Sequence, residues 1–451
     1  MTHATYIEAK KRRTGRSAGH VTLFPGAPPR QDHPPGCLTV INHPSFDQWL
    51  RIGRRPSSPS QPRTRGTIPV AYRLFQRICE GAFQPACMNN SSKDLPPVSR
   101  RRFTSGLAAA AAGIAIPTVA RARNLAAAET IIGEGEHRFR VQHHFPQLPD
   151  RFTWQTTHGV AVDAAGNLYV IHEGQKELKD HPSIFVFDPE GRFIRAFGSE
   201  FQGGGHGIEV RGEGNEEFLY ISAYQGVKCF AKLTLTGEIV WFRKAPMEAG
   251  CYAEGENIST KPNWSRQGFL PTNVAFLEDG GFLLADGYGS FRIHRYDKDA
   301  TWLSSFGGEG EGKGRFQTPH GIWIDRRAGR EPTIVVCDRA HDTLQLFALD
   351  GTYLETLNGF GLPANIDTSN ELMLVPELKA CVTILGPDNT PVARLGRAVE
   401  RLDEIKNLRT QPDKWIDGQF VHPHDACFTA SGDILVAEWV QGGRITKLAR
   451  V

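Results

Sequence analysis

"QFVHPHDACFTASGDILVAEW", residues 419–439, joins a strand pattern to an unusual polar entrance. Its second half alternates between apolar and polar residues and carries a Ser-Gly-Asp turn at 431–433, which is typical of a β-strand and its turn. Two histidines and an aspartate stand directly before it, in the His-Pro-His-Asp sequence of residues 422–425. A polar surface loop would explain one such stretch, so recurrence of the pattern is what would indicate function.

The same unit occurs six times along the chain. Each copy has a polar opening residue, a short apolar strand, a turn rich in Gly, Asp or Asn, and a second apolar strand. The six opening residues are His158, His206, Asn273, His320, Asn365 and His424. In four copies the second strand ends in an acidic residue, which is Glu173, Asp286, Asp338 or Glu438.

The spacing of these units predicts the fold. Successive opening residues lie 48, 67, 47, 45 and 59 positions apart, and third and fourth strand patterns follow in copies such as residues 183–198. Strand-only repeats of this length are typical of β-propellers with four strands per blade. We therefore predict an all-β, six-bladed, NHL-like β-propeller over residues 129–451. The two long spacings predict insertions around residues 251–267 and 398–415.

The N-terminal part of the chain has a different composition. Residues 1–103 contain 17 Lys or Arg but only 5 Asp or Glu, and 13 of the 29 prolines precede residue 99. We interpret residues 1–87 as a disordered leader or a wrongly extended reading frame, with Met88 as the true start. The remainder of the chain is net acidic, which argues against a nucleic-acid-binding surface.

Residues 88–128 resemble a twin-arginine export signal. Arg100 and Arg101 precede Phe103, and an apolar stretch follows at 107–116. The small-x-small patterns at 120–122 and 126–128 are candidate cleavage sites. The apolar stretch is too short to span a bilayer, so we expect no stable membrane span in the mature protein. The prediction is a protein exported to the periplasm or the extracellular space.

The cysteines predict no disulfide framework and no thiolate metal site. Three of the eight lie in the N-terminal leader, and the other five form an odd set without CxxC spacing. An exported protein would nevertheless allow one bridge, between Cys229 and Cys251.

The recurring histidines predict a metal on the propeller axis. Equivalent residues of successive blades lie on a ring, so the six opening residues should share one axial channel. His206, His320 and His424 come from alternate blades, about 120° apart around the axis. Three converging imidazoles leave one side of a metal open, as a catalytic zinc requires. One axial histidine would be explained by hydrogen bonds to water, but three in alternate blades indicate a metal.

Several stretches resemble peptidyl-α-hydroxyglycine α-amidating lyase. They are "HGIEV" from residue 206, "PTNVAF" from 271, "TPHGIWID" from 318, "VVCDRAHDTLQLF" from 335 and "HPHDACF" from 422. The resemblance covers about residues 150–451. It implies a six-bladed propeller, with zinc and calcium as cofactors, that cleaves a peptidyl-α-hydroxyglycine to an amide and glyoxylate.

Carried over by position, the resemblance assigns a role to individual residues. It makes the three histidines of the alternate blades the zinc ligands. It assigns a structural calcium to Asp425 and the backbone carbonyls of Val160 and Ile208. Tyr288 would be the catalytic phenol beside the zinc, acting as a base. Arg339 would lie near the substrate.

Two departures from the family bear on the substrate and the metal. Glu173 stands where the family has an arginine for the substrate carboxylate, and His158 adds a fourth imidazole that could complete a different metal sphere. We therefore expect a small-molecule or peptidyl substrate that is neutral or cationic where the family's substrate is anionic. We also expect the protein to be a monomer.

Two other functions fit the same fold. A non-enzymatic NHL-type propeller would bind a partner through its faces, and it would need no converging ligands. A calcium-dependent, lactonase-type propeller would use Asn273, Asn365 and Asp425, which should also face the axis. Elemental analysis separates the latter from a zinc enzyme.

Overall fold

The structure, a computed structural model, describes residues 129–451. The predicted leader at 1–87 and the predicted export signal at 88–128 lie outside the described residues. Residues 129–451 contain one α-helix, Val399–Glu404, and five short 3-10 helices. The 3-10 helices are Ser199–Phe201, Met247–Ala249, Arg339–His341, Leu408–Thr410 and Pro412–Lys414. Within this part of the chain, no helix has the length and apolar character needed to cross a membrane.

The rest of the regular structure consists of β-strands. Two short strands come first, β1 (Ile131–Ile132) and β2 (Phe139–Gln142). Blade 1 contains β3 (Thr157–Val162), β4 (Leu168–His172), β5 (Ile184–Phe187) and β6 (Phe193–Phe197). Blade 2 contains β7 (Gly205–Glu213), β8 (Glu216–Ala223), β9 (Cys229–Thr234) and β10 (Ile239–Arg243). Blade 3 contains β11 (Asn273–Phe276), β12 (Phe282–Ala285), β13 (Arg292–Tyr296) and β14 (Trp302–Gly307).

The remaining three blades follow in chain order. Blade 4 contains β15 (Pro319–Asp325), β16 (Thr333–Asp338), β17 (Thr343–Phe347) and β18 (Tyr353–Leu357). Blade 5 contains β19 (Asp367–Ser369), β20 (Leu372–Glu377), β21 (Cys381–Leu385) and β22 (Pro391–Leu395). Blade 6 contains β23 (Pro423–Phe428), β24 (Ile434–Glu438) and β25 (Arg444–Arg450).

The predicted six-bladed β-propeller is confirmed by the sheet topology. Blades 1 to 5 are antiparallel sheets of four strands in chain order, and blade 6 has the order β1-β2-β25-β24-β23. Strand β2 pairs with β25, with Phe139 opposite Arg450 and Gln142 opposite Lys447. The first and last described strands therefore share one sheet, which closes the ring and leaves no unpaired seam between its ends.

The core lies between neighbouring blades, because every blade must bury both of its faces. In β4, Leu168 and Val170 pack with residues of blade 6, whereas Tyr169 and Ile171 pack with residues of blade 2. Alternate side chains of one strand thus serve two interfaces. This double burial explains why the second strand of each copy reads as a continuous apolar run.

The recurring acidic residues anchor the loops that lead to the axis. Asp286, Asp338 and Glu438 each accept a hydrogen bond from a backbone N–H of the incoming loop, at 2.7, 2.7 and 2.8 Å. In blade 1 this position belongs to His172, which pairs with Thr157 and accepts the N–H of the incoming loop at 3.2 Å. The prediction that Glu173 is equivalent to the other three acidic residues is therefore wrong, because the equivalent residue of blade 1 is His172, one position earlier.

The glycines around the first axial strands allow close packing of backbones. A Cβ on Gly204 would lie 2.4 Å from the carbonyl oxygen of Tyr224, and one on Gly205 would lie 2.4 Å from that of His172. Such contacts are too short for any side chain, so only glycine allows the chain to pass this close to the ends of β4 and β8 before it reaches His206.

Both predicted insertions are present. A buried ion pair joins the loop between β10 and β11 to the rest of blade 2, with Glu256 Oε1 of the loop 2.5 Å from Nζ of Lys228, which directly precedes β9. The loop between β22 and β23 contains the α-helix and two of the 3-10 helices. The allowed bridge between Cys229 and Cys251 is not formed, since both cysteines are free.

Candidate metal centre

The six opening residues meet in one cavity. Each lies at, or within two residues of, the start of the first strand of its blade, and these strands pack against one another around the axis. The cavity is lined by His158, His206, Gly207, Thr272, Asn273, His320, Ala364, Asn365, His424 and Asp425. The structure therefore brings together all four axial histidines and both asparagines of the predicted ring.

The four histidines form a tight buried cluster. Candidate ligand atoms of His158, His206 and His424 all lie within 4.8 Å of one another, and His206 Nε2 lies 3.2 Å from His320 Nε2. All four side chains are at most 4% exposed. His158, which the family resemblance does not require, thus lies inside the cluster rather than beside it.

Backbone carbonyl oxygens fix the orientation of all four rings. His206 Nδ1 lies 2.8 Å from Thr272 O, and His320 Nδ1 lies 2.6 Å from Ala364 O. His424 Nδ1 lies 2.8 Å from His158 O, while His158 Nδ1 lies 3.2 Å from Thr156 O. A carbonyl oxygen only accepts hydrogen bonds, so each Nδ1 must carry the proton. Each neutral ring then turns an Nε2 lone pair to the axis, which is the orientation of a metal-binding histidine.

These lone pairs face one another without a proton between them. Burial lowers the pKa of His206 to about 3, with a further contribution from the Arg339 charge, and burial also holds the pKa of His320 and His424 well below the usual value. The Nε2 atoms of His206 and His320 are therefore two acceptors at 3.2 Å. The buried His424 Nε2 has no hydrogen-bond partner among the described residues. A cation between the rings is the partner that this donor set fits.

Tyr288 and Arg339 lie directly beside the cluster. The Tyr288 hydroxyl donates to His320 Nε2 at 2.9 Å and lies 3.3 Å from His206 Nε2. Arg339 is 2% exposed and donates to the Tyr288 oxygen at 3.0 Å, with its guanidinium 5.0 Å from the ring centre. The two residues are thus placed where a proton acceptor and a charge that stabilises it could act on a ligand of the cluster.

Glu173 does not contact the histidines directly, because the Tyr224 side chain lies between Glu173 and the cluster. Glu173 accepts hydrogen bonds from Tyr224 and Gln225, and the Tyr224 ring centre is 5.1 Å from that of His206. Burial raises the pKa of Glu173 to about 7, against the opposing effects of those hydrogen bonds and of the Arg409 charge. Glu173 is not among the side chains that line the axial cavity in the described part of the chain.

A second cavity of about 140 Å³ continues the axial channel beyond the histidines. Its walls include the carboxyl groups of Glu209, Asp367 and Asp425. Burial raises the pKa of Asp425 to about 7 and that of Asp367 to about 6, while burial and Asp425 hold that of Glu209 well above its usual value. Three carboxyl groups sharing one cavity in this way suit a cation with oxygen ligands.

Of the residues predicted for calcium, Asp425 and Val160 line this cavity. Asp425 Oδ2 accepts the backbone N–H of Val160 at 2.9 Å, and its Oδ1 accepts the Asn365 side chain at 2.6 Å. Ile208 is fully buried in the core between blades 1 and 2. Sequence reasoning missed Glu209 and Asp367, which lie in β7 and β19, the first strands of blades 2 and 5.

Comparisons with known proteins add no family assignment. No protein-family model and no curated protein matches the chain. A streptogramin B lyase structure is similar with a TM-score of 0.45 and 12% identity, covering 70% of this chain and 99% of that one. The structure of virginiamycin B lyase from Staphylococcus aureus is similar with a TM-score of 0.43 and 12% identity, covering 69% of this chain and 100% of that one. The structure of a protein of unknown function from Bacteroides caccae is similar with a TM-score of 0.38 and 15% identity, covering 60% of this chain and 83% of that one. Likeness at this level carries no argument about activity.

Proposed function

We propose that this protein is a zinc-dependent lyase of the peptidyl-α-hydroxyglycine α-amidating type. The observation that carries the proposal is the inward set of Nε2 lone pairs, with those of His206 and His320 at 3.2 Å and that of His424 buried without a hydrogen-bond partner in the described residues. These three residues would hold the zinc, and His158 supplies a fourth nitrogen in the same cluster. The converging ligands favour an enzyme over an NHL-type binding scaffold.

The residues around the cluster fit cleavage of an α-hydroxyglycine. Zinc, when bound, supplies Lewis acidity to the substrate hydroxyl oxygen. Arg339, which contacts the Tyr288 oxygen at 3.0 Å, stabilises Tyr288 as a phenolate. The phenolate takes the hydroxyl proton of the substrate and becomes a neutral phenol. The electron pair of the O–H bond forms the aldehyde C=O of glyoxylate while the C–N bond breaks. The departing amide nitrogen takes up a proton, which the tyrosine has just received.

A second cation is proposed for the neighbouring cavity. Glu209, Asp367 and Asp425 offer carboxylate oxygens to calcium, which prefers six to eight oxygen ligands. This observation also favours the calcium-dependent, lactonase-type alternative. That enzyme would place its essential metal among the carboxyl groups and leave the histidine cluster without a catalytic role, so the identity of the bound metals distinguishes the two functions.

The test combines elemental analysis with an assay. Protein spanning residues 129–451 should contain about one zinc per chain and should release glyoxylate from N-benzoyl-α-hydroxyglycine. Chelation should abolish the activity, and added zinc should restore it. Calcium as the sole metal, together with lactone hydrolysis that survives removal of zinc, would instead establish the lactonase-type function. A protein with neither metal would leave the binding scaffold as the correct description.

The raised pKa of Glu173 predicts how the KM of this anionic substrate depends on pH. Below pH 7 Glu173 is protonated and neutral, and above pH 7 it carries a negative charge behind Tyr224, whose ring borders the cluster. A like charge weakens binding of an anionic substrate. Because Tyr224 separates the two charges, we expect the low end of the range of roughly 1–4 kcal/mol, which is a rise in KM of about tenfold between pH 5.5 and 8.5.

The control is Glu173→Gln, which keeps an oxygen to accept the hydrogen bonds from Tyr224 and Gln225 but cannot ionise. Its KM should vary little over the same range, measured with zinc at saturation so that metal occupancy stays constant. An equal rise in KM for both proteins would show that another group titrates and that Glu173 does not face the substrate.

A further inference from the structure

A line of aromatic rings leads from the histidine cluster to the protein surface. The ring centre of Tyr224 lies 5.1 Å from that of His206, and the ring centre of Tyr288 lies 5.4 Å from that of His320. The two tyrosine rings are 5.2 Å apart. Trp264 lies outside them, with its ring centre 6.1 Å from Tyr224 and 5.7 Å from Tyr288. The three rings thus form one apolar wall beside the metal centre.

Trp264 is exposed although it belongs to an ordered loop. Half of its surface, 50%, is accessible, and its described ring contacts are those with the two tyrosines. A single exposed apolar residue needs no explanation. Trp264, however, extends a wall that begins at buried residues beside the metal centre, and its exposed face continues that wall to the solvent.

Buried polar contacts hold the loop that carries Trp264. Lys228 and Glu256 form an ion pair at 2.5 Å with side chains 1% and 4% exposed. Lys228 Nζ also donates to Lys261 O at 3.1 Å, and Glu256 Oε1 accepts the N–H of Phe269 at 2.9 Å. A buried pair with such additional hydrogen bonds costs desolvation energy but fixes one geometry. The indole is therefore placed in advance of binding, which reduces the entropy lost when a ligand binds.

The charges around the wall favour a neutral ligand group. The Arg266 side chain donates to Trp264 O at 2.7 Å and lies 3.5 Å from Tyr288 O, and the Arg339 guanidinium lies 5.0 Å from the Tyr288 ring centre. Aromatic walls also attract cations. Two guanidinium groups this close would repel a cation, and the Glu173 carboxyl behind Tyr224, with its pKa raised to about 7, offsets that repulsion only where it is ionised. A flat, uncharged group is the ligand that stacks on these rings without that repulsion.

We propose that Tyr224, Tyr288 and Trp264 form a subsite for a flat, neutral, aromatic group on the acyl side of the reacting carbon of the substrate. The proposal takes the position of the reacting carbon from the proposed function, but recognition of the aromatic group depends on the wall alone. Trp264 is the specificity-determining residue, since it is the outermost ring of the wall.

The test measures binding of two acylglycines that differ only in the acyl group. N-benzoylglycine and N-acetylglycine carry the same carboxylate, so the ratio of their Kd values isolates the contribution of the phenyl ring. We expect the zinc-loaded wild type to bind the benzoyl compound about tenfold more tightly by calorimetry, as one stacked aromatic group provides. Trp264→Ala should bring the ratio near one, and Trp264→Phe should retain most of it.

Ile258→Ala is the matched control, because Ile258 is 82% exposed on the same loop and outside the wall. It should keep the wild-type ratio, and all variants should keep the wild-type zinc content. A wild type without benzoyl preference, or a Trp264→Ala variant that keeps it, would overturn the subsite. Absence of glyoxylate release with the binding preference intact would refute the lyase function and leave the subsite standing.

Discussion

Replacing His424 with alanine is expected to remove most of the zinc while the propeller stays folded. The variant loses one of the Nε2 atoms that face the axis, and the remaining imidazoles bind zinc much less tightly than the complete set. We expect the zinc Kd to rise by about a hundredfold or more. The blades should be unaffected, because their cores lie between sheets rather than on the axis. Elemental analysis after dialysis against a weak chelator measures the loss.

His422→Ala is a demanding control for this experiment. His422 lies two residues away in the same loop and is also buried, but its Nδ1 contacts Leu378 O at 2.6 Å and its ring lies 5.9 Å from that of Trp439. It does not line the axial cavity in the described structure. Loss of a buried side chain should lower the melting temperature of this variant, yet its zinc content should equal that of the wild type.

His158→Ala then decides between three and four ligands. If His158 completes the zinc sphere, its removal should weaken binding as His424→Ala does. If it only neighbours the metal, zinc content should be retained, and the absorption bands of the cobalt-substituted protein should change little. A variant that lacks His206, His320 and His424 together and still binds one zinc per chain would show that the cluster is not the metal site.

The ring of histidines could be predicted because residues at the same position of each sequence repeat occupy equivalent places around the axis of a propeller. One residue per copy, at the start of a first strand, is enough to define a ring, and the structure indeed places all six opening residues around one cavity. The position within each copy also orients the side chain. Residues such as His206 and His320 therefore come within 3.2 Å of each other although they are far apart in sequence.

The second cavity could not be predicted in the same way. Glu209 and Asp367 lie in the first strands of blades 2 and 5, and each belongs to one copy only, so no periodic signal marks them. The position of Glu173 was harder still. A one-residue shift in β4 places His172 opposite Thr157 and directs Glu173 to Tyr224 and Gln225. In a strand, one residue of register changes the face to which a side chain belongs.

The aromatic wall shows a further limit of sequence reasoning. Tyr224 and Tyr288 follow second strands of their blades, but Trp264 comes from an insertion that has no equivalent in the other copies. Its place beside the tyrosines depends on the Lys228–Glu256 ion pair, which joins residues that no repeat relates. An insertion has no counterpart in the other repeats, so the repeat pattern does not predict where its side chains lie. Substrate specificity that depends on an insertion is therefore difficult to predict from sequence.

Tyr288→Phe is expected to lower kcat for glyoxylate release by about a hundred- to ten-thousandfold, the range that a positioned general base contributes. The variant keeps the aromatic ring and its packing against His206 and His320, and it lacks only the oxygen that lies 2.9 Å from His320 Nε2 and 3.0 Å from Arg339. Zinc content and KM should therefore stay close to the wild-type values. Initial rates at saturating substrate, with zinc measured on the same sample, separate loss of chemistry from loss of metal.

Tyr224→Phe provides the matched comparison, since both tyrosines lie beside His206 but the Tyr224 hydroxyl bonds to Glu173 rather than to the histidine cluster. Its kcat should fall by less than about tenfold, because no proton transfer depends on it. Equal losses in the two variants would mean that the phenol oxygens only shape the wall. A Tyr288→Phe enzyme with full activity would show that another group is the base.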